Sequence, residues 1–138
     1  MKARSIGFVV SVLLGTTGPG GQMSLAAQSV VSGQQASAVV IIADLKVTDG
    51  AVSGLLVNKS QQRVRHVRLL IRHTWLWNDE RHPGADDPGR ADFFTVPKDV
   101  APRHAEPFMY TPEPRLPWRS DGRFETSVEV VGYVEVGE

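Results

Sequence analysis

Val64 to Trp77 reads VRHVRLLIRHTWLW, and the period of its side chains decides the fold. Val67, Leu69, Ile71, Trp75 and Trp77 share one parity, with His73 the polar exception among them. His66, Arg68, Arg72 and Thr74 share the other, broken by Leu70 and Leu76. A period of two marks a strand with one buried and one wet face. A helix can also be drawn through Val64, Val67, Leu70 and Ile71. The aromatic and β-branched residues near the end of the stretch fit a pleated surface better.

The flanking sequence carries the same signal. Upstream, Ala38 to Val47 (AVVIIADLKV) and Val52 to Val57 (VSGLLV) read as strands. Asp49-Gly50 between them predicts a tight hairpin, because such turns need positive φ. Asn58 to Gln62 is a polar turn. Downstream, Asn78 to Pro97 is irregular, with turn dipeptides at Pro83-Gly84 and Pro88-Gly89 and a short strand at Ala91 to Val96. Pro107 to Thr111 makes another strand, after which Pro112, Pro114 and Pro117 remove ladder donors. Phe124 to Val136 alternates to the end, with Gly132 marking a bulge. The expectation is an all-β chain: a single immunoglobulin-like antiparallel β-sandwich of about six or seven strands after a signal peptide.

Lys2 and Arg4 precede an apolar run from Ile6 to Leu14, and Ser24-Leu25-Ala26 has the small residues that a signal peptidase reads. The run is roughly nine residues, short of the twenty or so that span a bilayer. Residues 1–26 therefore read as a cleavable Sec-type signal peptide, with cleavage after Ala26 or Ala27. Residues 27–37 (AQSVVSGQQAS) are polar and aperiodic and read as a flexible leader, and 38–138 as the sandwich. No second apolar span follows, so no transmembrane segment is expected once the signal is gone. The location expected is secreted or periplasmic.

The chain has no cysteine, which rules out disulfides and thiolate metal or redox chemistry. An exported domain of this kind suits a bacterial envelope better than a disulfide scaffold. Fifteen basic and fifteen acidic side chains balance, and losing Lys2 and Arg4 leaves a slight acid excess. Non-specific nucleic-acid binding needs a strong positive field, so nucleic acid is not an expected partner.

Val52-Ser53-Gly54-Leu55-Leu56-Val57-Asn58-Lys59-Ser60, followed by Val64 and Val67 to Ile71, resembles the strand pair of FxLYD-type and related bacterial immunoglobulin-like domains. Val100-Ala101-Pro102 with Phe108 and Tyr110 is similar to a later segment of that family, with Arg103 where the family has glycine. The family's acidic-glycine turn is replaced by the long 78–97 insertion. The resemblance implies an exported sandwich without assigned catalytic residues, and it carries over no functional residue.

No serine lies in a nucleophile-elbow sequence, so no catalytic residue is expected. Asp79, Glu80, His82, Asp86, Asp87 and Asp92 lack the alternating spacing of a calcium loop, and Arg81 and Arg90 compete for the carboxylates. His66, His73, His82 and His104 lack zinc-ligand spacing. No metal or cofactor is expected. Arg63, Arg65, Arg68 and Arg72 form a basic stretch that parity splits between two faces, read as the guard of an edge strand rather than an anion-binding surface.

Trp75 and Trp77 read first as core, and second as an aromatic platform with Asn78 and Arg81 beside them. The function expected is a non-catalytic module, binding an envelope protein or serving structurally. The alternative is recognition of a carbohydrate or peptide through Trp75, Trp77, Asn78 and Arg81.

Overall fold

Asp49 and Gly50 both adopt left-handed backbone, with φ of 51° and 82°. Positive φ at both central residues defines the two-residue turn that matches strand twist. It joins β3 (Val40–Thr48) to β4 (Ala51–Asn58) in the computed structural model, which describes residues 10–12, 28–84 and 86–137. Around this hairpin lie β1 (Val10–Val12), β2 (Gln28–Ser32), the short helix α1 (Gln34–Val39), β5 (Arg63–Trp77), β6 (Arg90–Thr95), β7 (Ala105–Tyr110) and β8 (Gly122–Val136). Every strand pairing is antiparallel.

Two sheets result, one ordered β1-β2-β8-β5-β6 and the other β3-β4-β7. The protein is an all-β sandwich. Val40, Val52, Leu56, Phe108 and Tyr110 from the smaller sheet meet Val67, Leu69, Ile71, Val130 and Tyr133 from the larger one in a shared core. Strands β3-β4-β7 stand in the A-B-E order of an immunoglobulin domain, and β6-β5-β8 in its C′-C-F order. The place beside F, which strand G fills in that fold, is held here by β2.

The 27–37 leader is where structure and expectation part. Gln28–Ser32 pairs along β8, burying Val31, and Gln34–Val39 forms α1, with Ala36 fully buried. The segment's polarity suggested disorder, but a strand needs only one inward side chain and a ladder to lean on. Apart from Val10–Val12, which pairs with β2, the expected signal peptide lies outside the described residues.

Strand β5 corrects the reading of the basic stretch. It lies between β8 and β6, in the middle of its sheet, so its arginines guard no edge. Nor does parity split them. His66 has φ 50°, and two β5 residues between Arg65 and Arg68 face one β8 residue between Val134 and Gly132. An extra residue of this kind shifts the alternation by one. Val131 supplies a compensating irregularity on β8, beside the Gly132 expected to mark it.

The turn after β4 is fixed by one side chain. Asn58 is fully buried. Its amide nitrogen donates to the carbonyls of Gln62 (2.7 Å), Val100 (3.2 Å) and Ala101 (3.3 Å). Its oxygen accepts from Ser60 N (2.9 Å) and Ser60 Oγ (2.7 Å). The Asn-Lys-Ser motif thus ties the turn to the Val64–Val100 bridge.

Gly54, on β4 opposite Phe108, leaves no room for a side chain. A Cβ there would lie 3.0 Å from the Ala43 carbonyl oxygen and 3.2 Å from the Phe108 ring. Gly54→Val should cost about 2 kcal/mol, as overpacking typically does. Chemical unfolding measures it, and a variant as stable as the wild type would show that the hairpin relaxes around the added methyls.

Candidate functional site

The expected platform lies at the far end of β5. Trp75 points inward opposite Phe124 of β8, and the two rings meet edge to face at 4.8 Å. Trp77 meets Trp75 at 5.8 Å, with the planes at 86°. Trp75 is buried, in keeping with the core reading, while Trp77 is half-buried. Arg119 covers both: its guanidinium carbon lies 5.2 Å from the Trp75 ring centre and 5.3 Å from that of Trp77. Asp121 holds the cation at 2.5 Å and Asp86 at 3.3 Å. The hydrogen bond from Arg119 pulls the Asp121 carboxyl below its ordinary pKa.

Asn78 belongs to this end as a fastener. Its backbone N–H donates to Asp121 O (3.0 Å) and its side chain to Ser120 O (2.9 Å). Arg81 is exposed, and its guanidinium makes no ion pair among the described residues. The structure therefore gathers Trp75, Trp77 and Asn78 with Arg119, Asp121 and Phe124, and leaves Arg81 apart. Spacing gave no sign of Arg119, which reaches the tryptophans through the 111–121 strap. That strap presents the neighbouring Trp118 to solvent, 88% exposed.

The 78–97 loop uses its carboxylates on its own backbone and on the 111–121 strap. Asp79 Oδ1 accepts from Arg81 N, Asp87 Oδ1 from Gly89 N, and Asp86 pairs with Arg119. No three His, Asp or Glu side chains gather as a metal site among the described residues.

One step inward from Trp75 lies a polar cluster that pattern reading passed over. His73 faces the core with its side chain 0% exposed. Its Nδ1 is 2.9 Å from Thr126 Oγ1, and its Nε2 has no hydrogen-bond partner, 4.0 Å from Asp92 Oδ2. Asp92 also receives the Tyr110 hydroxyl and Arg90 Nε (3.2 Å). Tyr110 stacks on the imidazole at 6.3 Å. Burial, then the bond to Asp92, pushes the Tyr110 hydroxyl's pKa up. Arg90 and Asp92 are inward charges on the edge strand β6, a placement that discourages a foreign strand from adding there.

Burial lowers the His73 pKa below 6.5, Asp92 opposing the shift and Arg90 reinforcing it. The unfolded imidazole takes up its proton near 6.5 and the folded one only at lower pH. Between those values the unfolded chain binds more protons, so stability falls as pH drops below about 6.5. His73→Gln should flatten this fall. Melting temperatures at pH 7.5 and 5.0 test it, and equal acid losses in both proteins would assign the effect to other groups.

No protein-family model matches this chain, and neither a curated protein nor a solved structure does. What fold and site define on their own is a two-sheet β-sandwich with an arginine-capped aromatic end.

Proposed function

We propose that this chain is an exported, non-catalytic β-sandwich module that binds a protein partner in the cell envelope. The observation that carries the reading is Trp118, 88% exposed beside an Arg119 pinned by Asp86, Asp121 and two indole rings. A large aromatic held out on an anchored strap loses little entropy on binding, which is the chemistry of an interface hot spot. Export is supported by Lys2, Arg4, the Ile6 to Leu14 run and Ser24-Leu25-Ala26, and by the likeness of Val52 to Ser60 to FxLYD-type domains. No helix among the described residues is long and apolar enough to cross a membrane. A non-catalytic role is supported by the engagement of His73, Arg90, Asp92 and Tyr110 with one another between the sheets.

A photo-crosslinking residue in place of Trp118, in cells that carry the chain, should give one discrete adduct with an envelope protein. The mature N-terminus should be Ala27 or Gln28. Absence of any adduct, or a product that retains Met1, would overturn the reading. The same exposed indole favours carbohydrate as the second reading, because sugars stack on flat aromatics. Quenching of Trp118 emission across a sugar panel, lost in Trp118→Ala, would move the assignment there. Arg119 lies over the rings of Trp75 and Trp77, so this reading stacks the sugar on Trp118 instead.

A further inference from the structure

The bulge at His66 decides where the arginines of β5 point. Val64 and Val67 are both fully buried, so Arg65 and His66 between them lie on the outer face. Alternation on either side places Arg63, Arg68 and Arg72 on that face as well. Arg63 lies opposite Val136, Arg65 opposite Val134, and Arg68 between Gly132 of β8 and Thr95 of β6. None of these partners carries a carboxylate. Among the described residues Asp99 alone answers, at 3.4 Å from Arg65. Glu129 and Glu125 stand farther along, opposite Leu70 and Thr74, where they flank Arg72.

Arg63 and Arg68 make no ion pair among the described residues. Arg68 instead lies 4.2 Å over the ring of Phe93, which is 59% exposed. On the other flank Val30 of β2, opposite Val134, is 48% exposed. A chain with as many acids as bases thus concentrates three arginines and a histidine on half of one sheet face, with open apolar side chains on both sides.

We propose that this half-face, centred on Arg63, Arg65 and Arg68, docks a carboxylate-rich segment of a partner protein. The inference rests on the binding-module reading and names the chemistry of its partner. Guanidinium forks match carboxylates in pairs, and unpaired arginines beside apolar side chains lose little by accepting them. The cations run in a line along one strand with apolar groups to either side, which fits an extended acidic chain. A lipid surface would ask for the apolar groups to stand outermost instead.

The test uses the full chain and labelled poly-L-glutamate, followed by fluorescence anisotropy at several salt concentrations. Binding should weaken as salt rises, because exposed charges are screened. Arg63→Glu with Arg68→Glu should weaken it by about tenfold or more, whereas Arg72→Glu, already beside two glutamates, should weaken it far less. The double glutamine variant repeats the comparison should the glutamates impair folding, with circular dichroism as the check. Absence of binding, equal loss in Arg72→Glu, or capture of phosphatidylglycerol vesicles in preference to poly-L-glutamate would overturn the proposal. These readouts do not depend on Trp118. A lost polyglutamate signal with an intact Trp118 adduct removes this inference alone, and a lost adduct with polyglutamate binding retained removes the hot-spot reading alone.

Discussion

Asn58→Ala should lower the unfolding free energy by about 3 kcal/mol, since it removes several buried hydrogen bonds, each worth roughly 0.5–1.5 kcal/mol net, and relaxation recovers part of the loss. The side chain has no access to water, and its loss takes one donor from each of the carbonyls of Gln62, Val100 and Ala101, which keep Ser60 Oγ, Val64 N and His104 N, and takes the acceptor from the Ser60 amide. Val100 is itself fully buried, so solvent cannot take over its bond. Asn58→Asp is the sharper variant. It keeps the acceptor for Ser60 but turns an anion toward carbonyl oxygens, so it should be no more stable than the alanine form at neutral pH. Ser60→Ala, which removes the hydroxyl between Asn58 Oδ1, Gln62 O and Gln62 N, should cost about 1–2 kcal/mol, at about 1 kcal/mol net per bond. Urea unfolding ranks the three. An Asn58→Ala midpoint close to that of the wild type would mean that water replaces the whole network.

Gly122→Ala should be comparably severe. The added Cβ would lie 2.4 Å from the Leu76 carbonyl oxygen and 2.5 Å from the Trp75 ring. The carbonyl is a backbone atom of β5 and cannot rotate away as a side chain can, and Trp75 is wedged between Phe124 and Trp77. Overpacking costs about 1–3 kcal/mol, and contact with a fixed backbone atom places this substitution at or above the top of that range. The expected result is a melting temperature lowered by ten degrees or more, at roughly 4 °C per kcal/mol for a domain of this size. Trp75→Phe in the same chain should restore part of the loss by removing the crowded ring edge. A Gly122→Ala protein that melts with the wild type would show that β8 shifts to make room.

The sandwich was legible because its central strands carry strong local signals. The alternation from Val67 to Trp77 and the Asp49-Gly50 turn each state one structure, and the folded chain follows them. The Asn58-Lys59-Ser60 turn was visible as a turn, but its hold on Val100 joins residues 42 apart, which no local pattern reveals. Strand β2 went unread because QSVVS has little apolar content and owes its order to the ladder on β8. At the candidate site Trp75, Trp77 and Asn78 could be named from their spacing along β5. Arg119 could not, since it arrives through a proline-rich strap. The single extra residue at His66 reversed the reading of four arginines, because period two has no memory of a skipped position.

The substitution of β2 for the usual last strand has a mechanical side. Gln28 and Val136 lie opposite each other in an antiparallel ladder, so tension applied through these two residues acts at one end of the β2–β8 pair. Hydrogen bonds perpendicular to the strands then open one after another, like a zipper, instead of bearing the load together. A protein held in an envelope by both ends of this domain would yield at that seam first. Force drawn instead through Arg63 and Gly122, at opposite ends of the β5–β8 pair, would load that longer ladder in shear.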